Sequence, residues 1–207
     1  MLQILGRASS INVRKVLWTA SEIGLAFELL PYGEADLSLQ SAYFLSLNPQ
    51  GLIPVVIDDG LVLRESNTIC RYLANKHQAS HLLPLAASAR AEVELWMDWQ
   101  QTELNNSWRY ALNGLRRKRP DYQQPEAIAA SVAAWNSSML LLERRLEETS
   151  AYVCGEQFTL ADVVLGLSLQ RWYSVPMSRP EAPALARYYE LLSQRPAYLK
   201  YGRNGLP

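Results

Sequence analysis

Cysteine and histidine are scarce in this chain, and their scarcity removes whole classes of chemistry. Two cysteines, Cys70 and Cys154, stand far apart in a sequence of 207 residues. They form neither a metal-type cluster nor a close redox pair, which argues against a disulfide framework and against a zinc site. The two histidines, His77 and His81, lack ligand partners at useful spacing, so no metal is expected. A charge excess is missing as well. Twenty basic residues balance twenty acidic ones, which implies no general attraction to nucleic acid or to an anionic membrane surface. No run approaches eighteen apolar residues, and Met1 to Gly6 reads as a strand rather than as a charged leader with an apolar stretch. The expectation is a soluble, cytoplasmic protein in a reducing compartment.

Apolar residues make up 49% of the chain, enough to bury one ordinary domain with a helical companion. The first 77 residues alternate strand and helix. Leu2 to Leu5 reads as a strand, and Val13, Val16, Leu17 and Ala20 then recur with helical period up to Gly24, a natural C-cap. Phe27 to Pro31 is a second strand, Leu37 to Leu47 a short helix, Val55 to Ile57 and Leu61 to Leu63 a hairpin, and Glu65 to Lys76 a third helix. This βαβ-α-ββ-α order is that of a thioredoxin-like domain, residues 1–77. After a linker at 78–87, residues 88–207 carry helical patterns alone, at roughly 88–117, 125–149, 160–174 and 182–194, so the fold class is α+β followed by an all-α domain.

Residues 48–73 are the most informative stretch. Asp59-Gly60 between two short apolar runs is a strong hairpin signal. Glu65 and Ser66 then open a helix, so a carboxylate, a hydroxyl and free backbone N–H groups converge where the helix dipole favours an anion. Pro54 enters the hairpin after Asn-Pro-Gln-Gly; it cannot donate to a ladder and is a candidate cis bond, which would turn the backbone of Ile53 outward for a guest. The arrangement suits a small peptide. A second polar cluster, Ser9, Ser10 and Asn12, lies at the first strand-to-helix turn, where a hydroxyl either caps the helix or donates to a bound anion.

Together these residues resemble the soluble glutathione S-transferase family in its bacterial serine-type form, and the resemblance spans nearly the whole chain. It implies glutathione as co-substrate, with no metal. Leu52, Ile53 and Pro54 would border the peptide, the Ile53 backbone would pair with the cysteinyl part, and Glu65 and Ser66 would hold the γ-glutamyl end. Aligned on Val13 to Leu17, the family's activating hydroxyl falls on Ser10, with Ser9 as the other choice and Asn12 as a second donor. Trp108 and Leu112 would border the pocket for a small, mostly apolar electrophile. The resemblance implies a detoxifying transferase and a homodimer. The same first domain would also serve a glutathione-dependent isomerase or dehalogenase, or a binding protein that has lost turnover. Leu52 departs from the family, since many relatives carry a polar side chain there for the glycyl carboxylate; Gln40 or Gln50 stands as a substitute.

Other features read as structural. Thr159 and Asp162 form a capping box, with Phe158 and Val163 placed as a hydrophobic staple. Trp96 and Trp99 share a helix face directed to the core. Arg116 to Arg119, four cations ending a long helix, read as a solvated terminus that suits the dipole. Cys70 shares the register of Ile69 and Leu73 and reads as a small buried apolar residue.

Overall fold

Strand alternation gives the N-terminal sheet two cores. In the computed structural model, which describes residues 1–34 and 36–207, β1 (Leu2–Leu5) is flanked by β2 (Phe27–Leu30), parallel, and by β3 (Val55–Asp58), antiparallel; β4 (Leu61–Arg64) closes the order β2-β1-β3-β4. Successive side chains point to opposite faces. Leu2, Ile4 and Val56 therefore join the main core, whereas Leu5 and Val55 join a smaller one with Tyr32 and Phe44. Helices α1 (Ile11–Ile23) and α3 (Ser66–Lys76) cover the first face, and α2 (Ala42–Leu47) supplies Phe44 to the second. Gly24 caps α1 in the left-handed conformation, as its position suggests. Helix α2 is shorter than the expected Leu37 to Leu47. The Ser41 hydroxyl accepts the Phe44 N–H at 3.2 Å and so starts the helix there.

The second half is helical, as expected. The pattern at 88–117 becomes one rod from Ala87 to Arg116, but it is not uniform: α4 (Ala87–Trp99) and α5 (Asn105–Ala111) are each followed by a π-type segment, Gln100–Leu104 and Leu112–Arg116. Then come a 3-10 turn (Pro120–Tyr122), α6 (Pro125–Thr149), α7 (Leu160–Ser174), α8 (Pro183–Leu192) and α9 (Pro196–Tyr201), the last being absent from the sequence reading. No described helix is long and apolar enough to cross a membrane.

Helix α1 is enclosed by the sheet side and by the helical half. Trp18 stacks against Tyr198 at 4.9 Å and against Phe158 at 5.6 Å, and Gly166 on α7 leaves room for it, since a Cβ there would come within 3.1 Å of the Trp18 ring. Full enclosure also buries Lys15. Its ammonium donates to Gln100 at 2.7 Å, Asn67 at 3.2 Å and Gln101 at 3.3 Å, tying α1 and α3 to the long rod. Burial pushes the Lys15 ammonium down to about 7. Because its folded value lies below its unfolded one, this contribution to stability is fully present above the ordinary lysine range and is lost as pH falls toward 7. Wild type is therefore expected to gain about 1 kcal/mol over Lys15→Met between about pH 7.5 and 8.5 in denaturant unfolding. A pH-independent difference would show an amine with ordinary proton affinity.

Candidate active site

The registers of the sheet bring the end of β1 beside the β3-β4 hairpin, which is distant in sequence. Leu5 pairs with Val55, and Val55 with Arg64. One step further along each strand lie Gly6, Pro54 and Glu65, in one row at the sheet's edge. The Ile53-Pro54 bond is cis. Gly6, at φ 150°, is needed for the close approach: a Cβ there would lie 2.6 Å from Val13 and 3.1 Å from the Ile53 Cβ. Asn48 braces the same loop by donating to the Leu52 carbonyl at 2.8 Å.

At the next helix start, Glu65 holds φ 69°, ψ 110° and its side chain makes no capping bond. A non-glycine residue there costs of order 1–3 kcal/mol, the kind of strain found at ligand clamps. Ser66 is buried, 4% exposed, at the first turn of α3, which contains no acidic side chain. Leu52 is 59% exposed beside Ile53. Its apolar side chain offers nothing to a carboxylate, and both Gln40 and Gln50 are exposed.

A cavity of about 740 Å³ begins at Arg7, the residue after Gly6, and is lined by none of Leu52, Ile53, Pro54, Glu65 and Ser66. The β1-α1 turn forms one wall with Arg7, Ser9, Ser10, Ile11 and Asn12, and Gly33 and Glu34 follow from the end of β2. Ser10 occupies the N-cap of α1 with extended backbone, yet its hydroxyl makes no cap bond, so it is left for the cavity. Its own N–H is satisfied by the Arg7 carbonyl at 3.0 Å. Ser9 reaches the same wall and is exposed. The first turn of α1 carries no acidic residue, so its free N–H groups favour an anion.

The opposite wall comes from the helical half: Trp108, Arg117, Arg119, Arg171 and Pro207. Trp108, expected to border a second-substrate pocket, lines this cavity. Leu112 does not, being wholly buried in the core and absent from this wall. The widened turn at Leu112–Arg116 and the packing around Gly114, where a Cβ would strike the Tyr122 carbonyl at 2.4 Å, send that face inward. Four arginines line the cavity. The run Arg116 to Arg119 is divided: Lys118 turns the chain at φ 53°, and Arg117 and Arg119 line the cavity, whereas Arg116 and Lys118 do not.

Arg171 carries a signal of its own in the sequence. Helix α7 is apolar nearly all round, hence buried, and a charge in such a helix must meet a polar space. Its guanidinium sits 4.4 Å over the Trp108 ring, and burial pushes it down to about 9, with Arg117 and Arg14 adding repulsion. Neither cysteine is a candidate nucleophile. Burial pushes the Cys70 thiol up to about 11 and Cys154 up to about 12, and neither lines the cavity. Among the described residues no group of three or more His, Cys, Asp or Glu side chains is placed to hold a metal.

Fold and site together define a thioredoxin-like sheet with a peptide-sized edge, a helical second half, and a cavity at their junction. A family model described as the glutathione S-transferase N-terminal domain matches residues 2–75, and one for the C-terminal domain matches residues 125–191. The chain is 35% identical to glutathione S-transferase GstB of Escherichia coli strain K12, over 97% of each protein. Against glutathione S-transferase 3 of Zea mays it is 31% identical, covering 96% of this chain and 92% of the other. The crystal structure of the theta class glutathione S-transferase from the citrus canker pathogen Xanthomonas axonopodis pv. citri, with glutathione bound, matches at a TM-score of 0.86 and 34% identity, covering 97% of this chain and 96% of that one. The chain belongs to the soluble glutathione S-transferase family.

Proposed function

We propose that this glutathione S-transferase binds glutathione along the row Ile53-Pro54 and Glu65-Ser66, with its thiol at Ser10, and conjugates it to an electrophilic carbon held in the adjoining cavity. The observation that carries the reading is the uncapped Ser10 hydroxyl at the start of α1, on the wall of a cavity that begins at Arg7, the residue after the Gly6 that packs against Ile53. The γ-glutamyl ammonium would meet the Glu65 carboxylate, and its carboxylate the Ser66 hydroxyl and the first N–H groups of α3. Ser10, with Asn12 beside it, donates to the thiolate once the thiol proton has left to solvent. The sulfur lone pair then forms the S–C bond while the leaving group departs with its bonding pair. Catalysis is mostly thiolate stabilisation and positioning. Association as a homodimer belongs to the same reading; exposed Leu61 and Val62 on the edge strand β4 support it.

Retention on glutathione-agarose followed by a conjugation assay tests the reading. Retention without turnover would indicate a binding protein instead. Ser66→Ala is expected to weaken glutathione binding by ~1–3 kcal/mol in calorimetry, the cost of leaving a charged partner short of one hydrogen bond. An unchanged dissociation constant would move the γ-glutamyl end elsewhere.

A further inference from the structure

The chain is neutral overall, yet its charges are not evenly spread around the cavity. Arg7, Arg117, Arg119 and Arg171 line it, against one acidic side chain, Glu34. Among the described residues none of the four joins an ion pair. Two are held by neutral groups, Arg7 donating to the Gly33 carbonyl at 3.2 Å and Arg117 to the Asn113 amide oxygen at 3.2 Å, while Arg171 donates to an oxygen of Pro207 at 3.4 Å. Arg171 is 3% exposed, lines the cavity, and leaves its buried Nε without a partner. Like charges gathered this closely repel one another. Arg117 is held below the usual arginine range by burial, and Arg119 and Arg7 push it further.

Glutathione does not account for the cluster. On the reading above, its γ-glutamyl carboxylate belongs to Ser66, its backbone to Ile53 and its glycyl carboxylate to the side of Leu52 with Gln40 or Gln50, and none of these residues lines the cavity. The thiolate brings one negative charge, at Ser10. Three of the four arginines come from the helical half and share the wall with Trp108, on the side left for the second substrate.

We infer that the co-substrate is an anion, an electrophile bearing a carboxylate that the arginine fork of this cavity binds while its carbon skeleton packs on Trp108. A guanidinium matches a carboxylate with two parallel N–H···O bonds. Trp108 is already engaged on one side by Arg171 and hydrogen-bonded through its indole N–H to Asn105 at 3.1 Å, so it forms a fixed apolar floor. The inference rests on the proposed transferase reading and names the substrate class of that same site.

Matched probes differing in charge alone test it: 4-(bromomethyl)benzoate against 4-(bromomethyl)benzamide. In each the glutathione sulfur bonds to the benzylic carbon as bromide leaves with the C–Br pair. The benzoate is expected to show a kcat/KM at least about 10-fold higher, and Arg117→Met or Arg119→Met to erase most of that ratio through KM for the benzoate, leaving the benzamide within about threefold. The benzoate preference should shrink as salt is added. Equal losses for both probes would mean that the arginines act on the thiolate, and the inference would fall. Arg171→Lys, which keeps the charge but loses the planar fork, should lower the ratio in the same way. Unreactive 4-methylbenzoate and 4-methylbenzamide, titrated into the glutathione-loaded enzyme by tryptophan fluorescence, give a second readout that needs no turnover. Benzoate binding no tighter than benzamide overturns the anion inference, whereas absence of turnover with both bromides, with benzoate still preferred in binding, overturns the transferase reading alone.

Discussion

Ser10→Ala is expected to lower turnover by ~10-fold to 1000-fold while glutathione binding changes little, the signature of one lost donor to a developing or bound anion. Lowering the pKa of a thiol by ~2 units requires about 2.7 kcal/mol in favour of the thiolate. A hydrogen bond to a charged group contributes roughly 1.5–3 kcal/mol, and a helix N-terminus adds about 0.3–1 kcal/mol. Ser10 is placed to supply both, because its hydroxyl is not consumed in capping α1 and the first turn of that helix carries no competing carboxylate. Thiolate absorbance, titrated against pH with glutathione bound, should show the midpoint move upward in the variant. An unmoved midpoint would transfer the role to Ser9, which lines the same wall, and Ser9→Ala would then be the decisive variant.

Asp162→Ala is expected to cost the largest amount of stability, about 3–5 kcal/mol, and to leave the cavity residues in place in whatever fraction folds. The carboxylate is fully buried and serves four donors: Thr159 N–H at 2.8 Å, Thr159 hydroxyl at 3.2 Å, Val153 N–H at 3.0 Å and Tyr188 hydroxyl at 2.8 Å. It forms the capping box of α7, the helix that packs on α1 through Gly166 and carries Arg171. Removing it strands buried donors, each costing roughly 1–3 kcal/mol before relaxation and water entry reduce the sum. Asp162→Asn keeps one acceptor and should lose clearly less. Denaturant unfolding of the three proteins checks the order; a loss below about 1 kcal/mol for the alanine variant would mean that the box is dispensable.

Local signals carried much of this molecule. Asp59-Gly60 marked the hairpin, Gly24 the end of α1, and Thr159 with Asp162 the start of α7, because turns and caps are chosen by the chemistry of two to four neighbouring residues. Ser9, Ser10, Asn12 and Trp108 were legible as candidates and do meet on one cavity. Helix α2 is shorter than its pattern suggests, because Leu37 and Leu39 look helical in period yet pack from a loop against the small core around Phe44.

Local chemistry along the chain dictates the order of elements, the caps and turns between them, the apolar face of each strand, and the residue types available at the two helix N-termini. The tertiary structure alone decided which of them become neighbours. Strand registers set Gly6 in one row with Pro54 and Glu65, although it lies far from that hairpin in sequence. Periodicity along α1 named its apolar side, but enclosure by α3, α7 and α9 buried Arg14 and Lys15 as well, which no single-helix pattern reports. The same holds for charge. Arg7, Arg117, Arg119 and Arg171 lie far apart or in a run that reads as a solvated helix end, and their convergence depends on a left-handed turn at Lys118 and on the crossing of α7 with the long rod. Net charge sums over the chain and says nothing of where like charges meet; Coulomb repulsion acts through space, so the cationic character of this cavity exists only once the chain is folded.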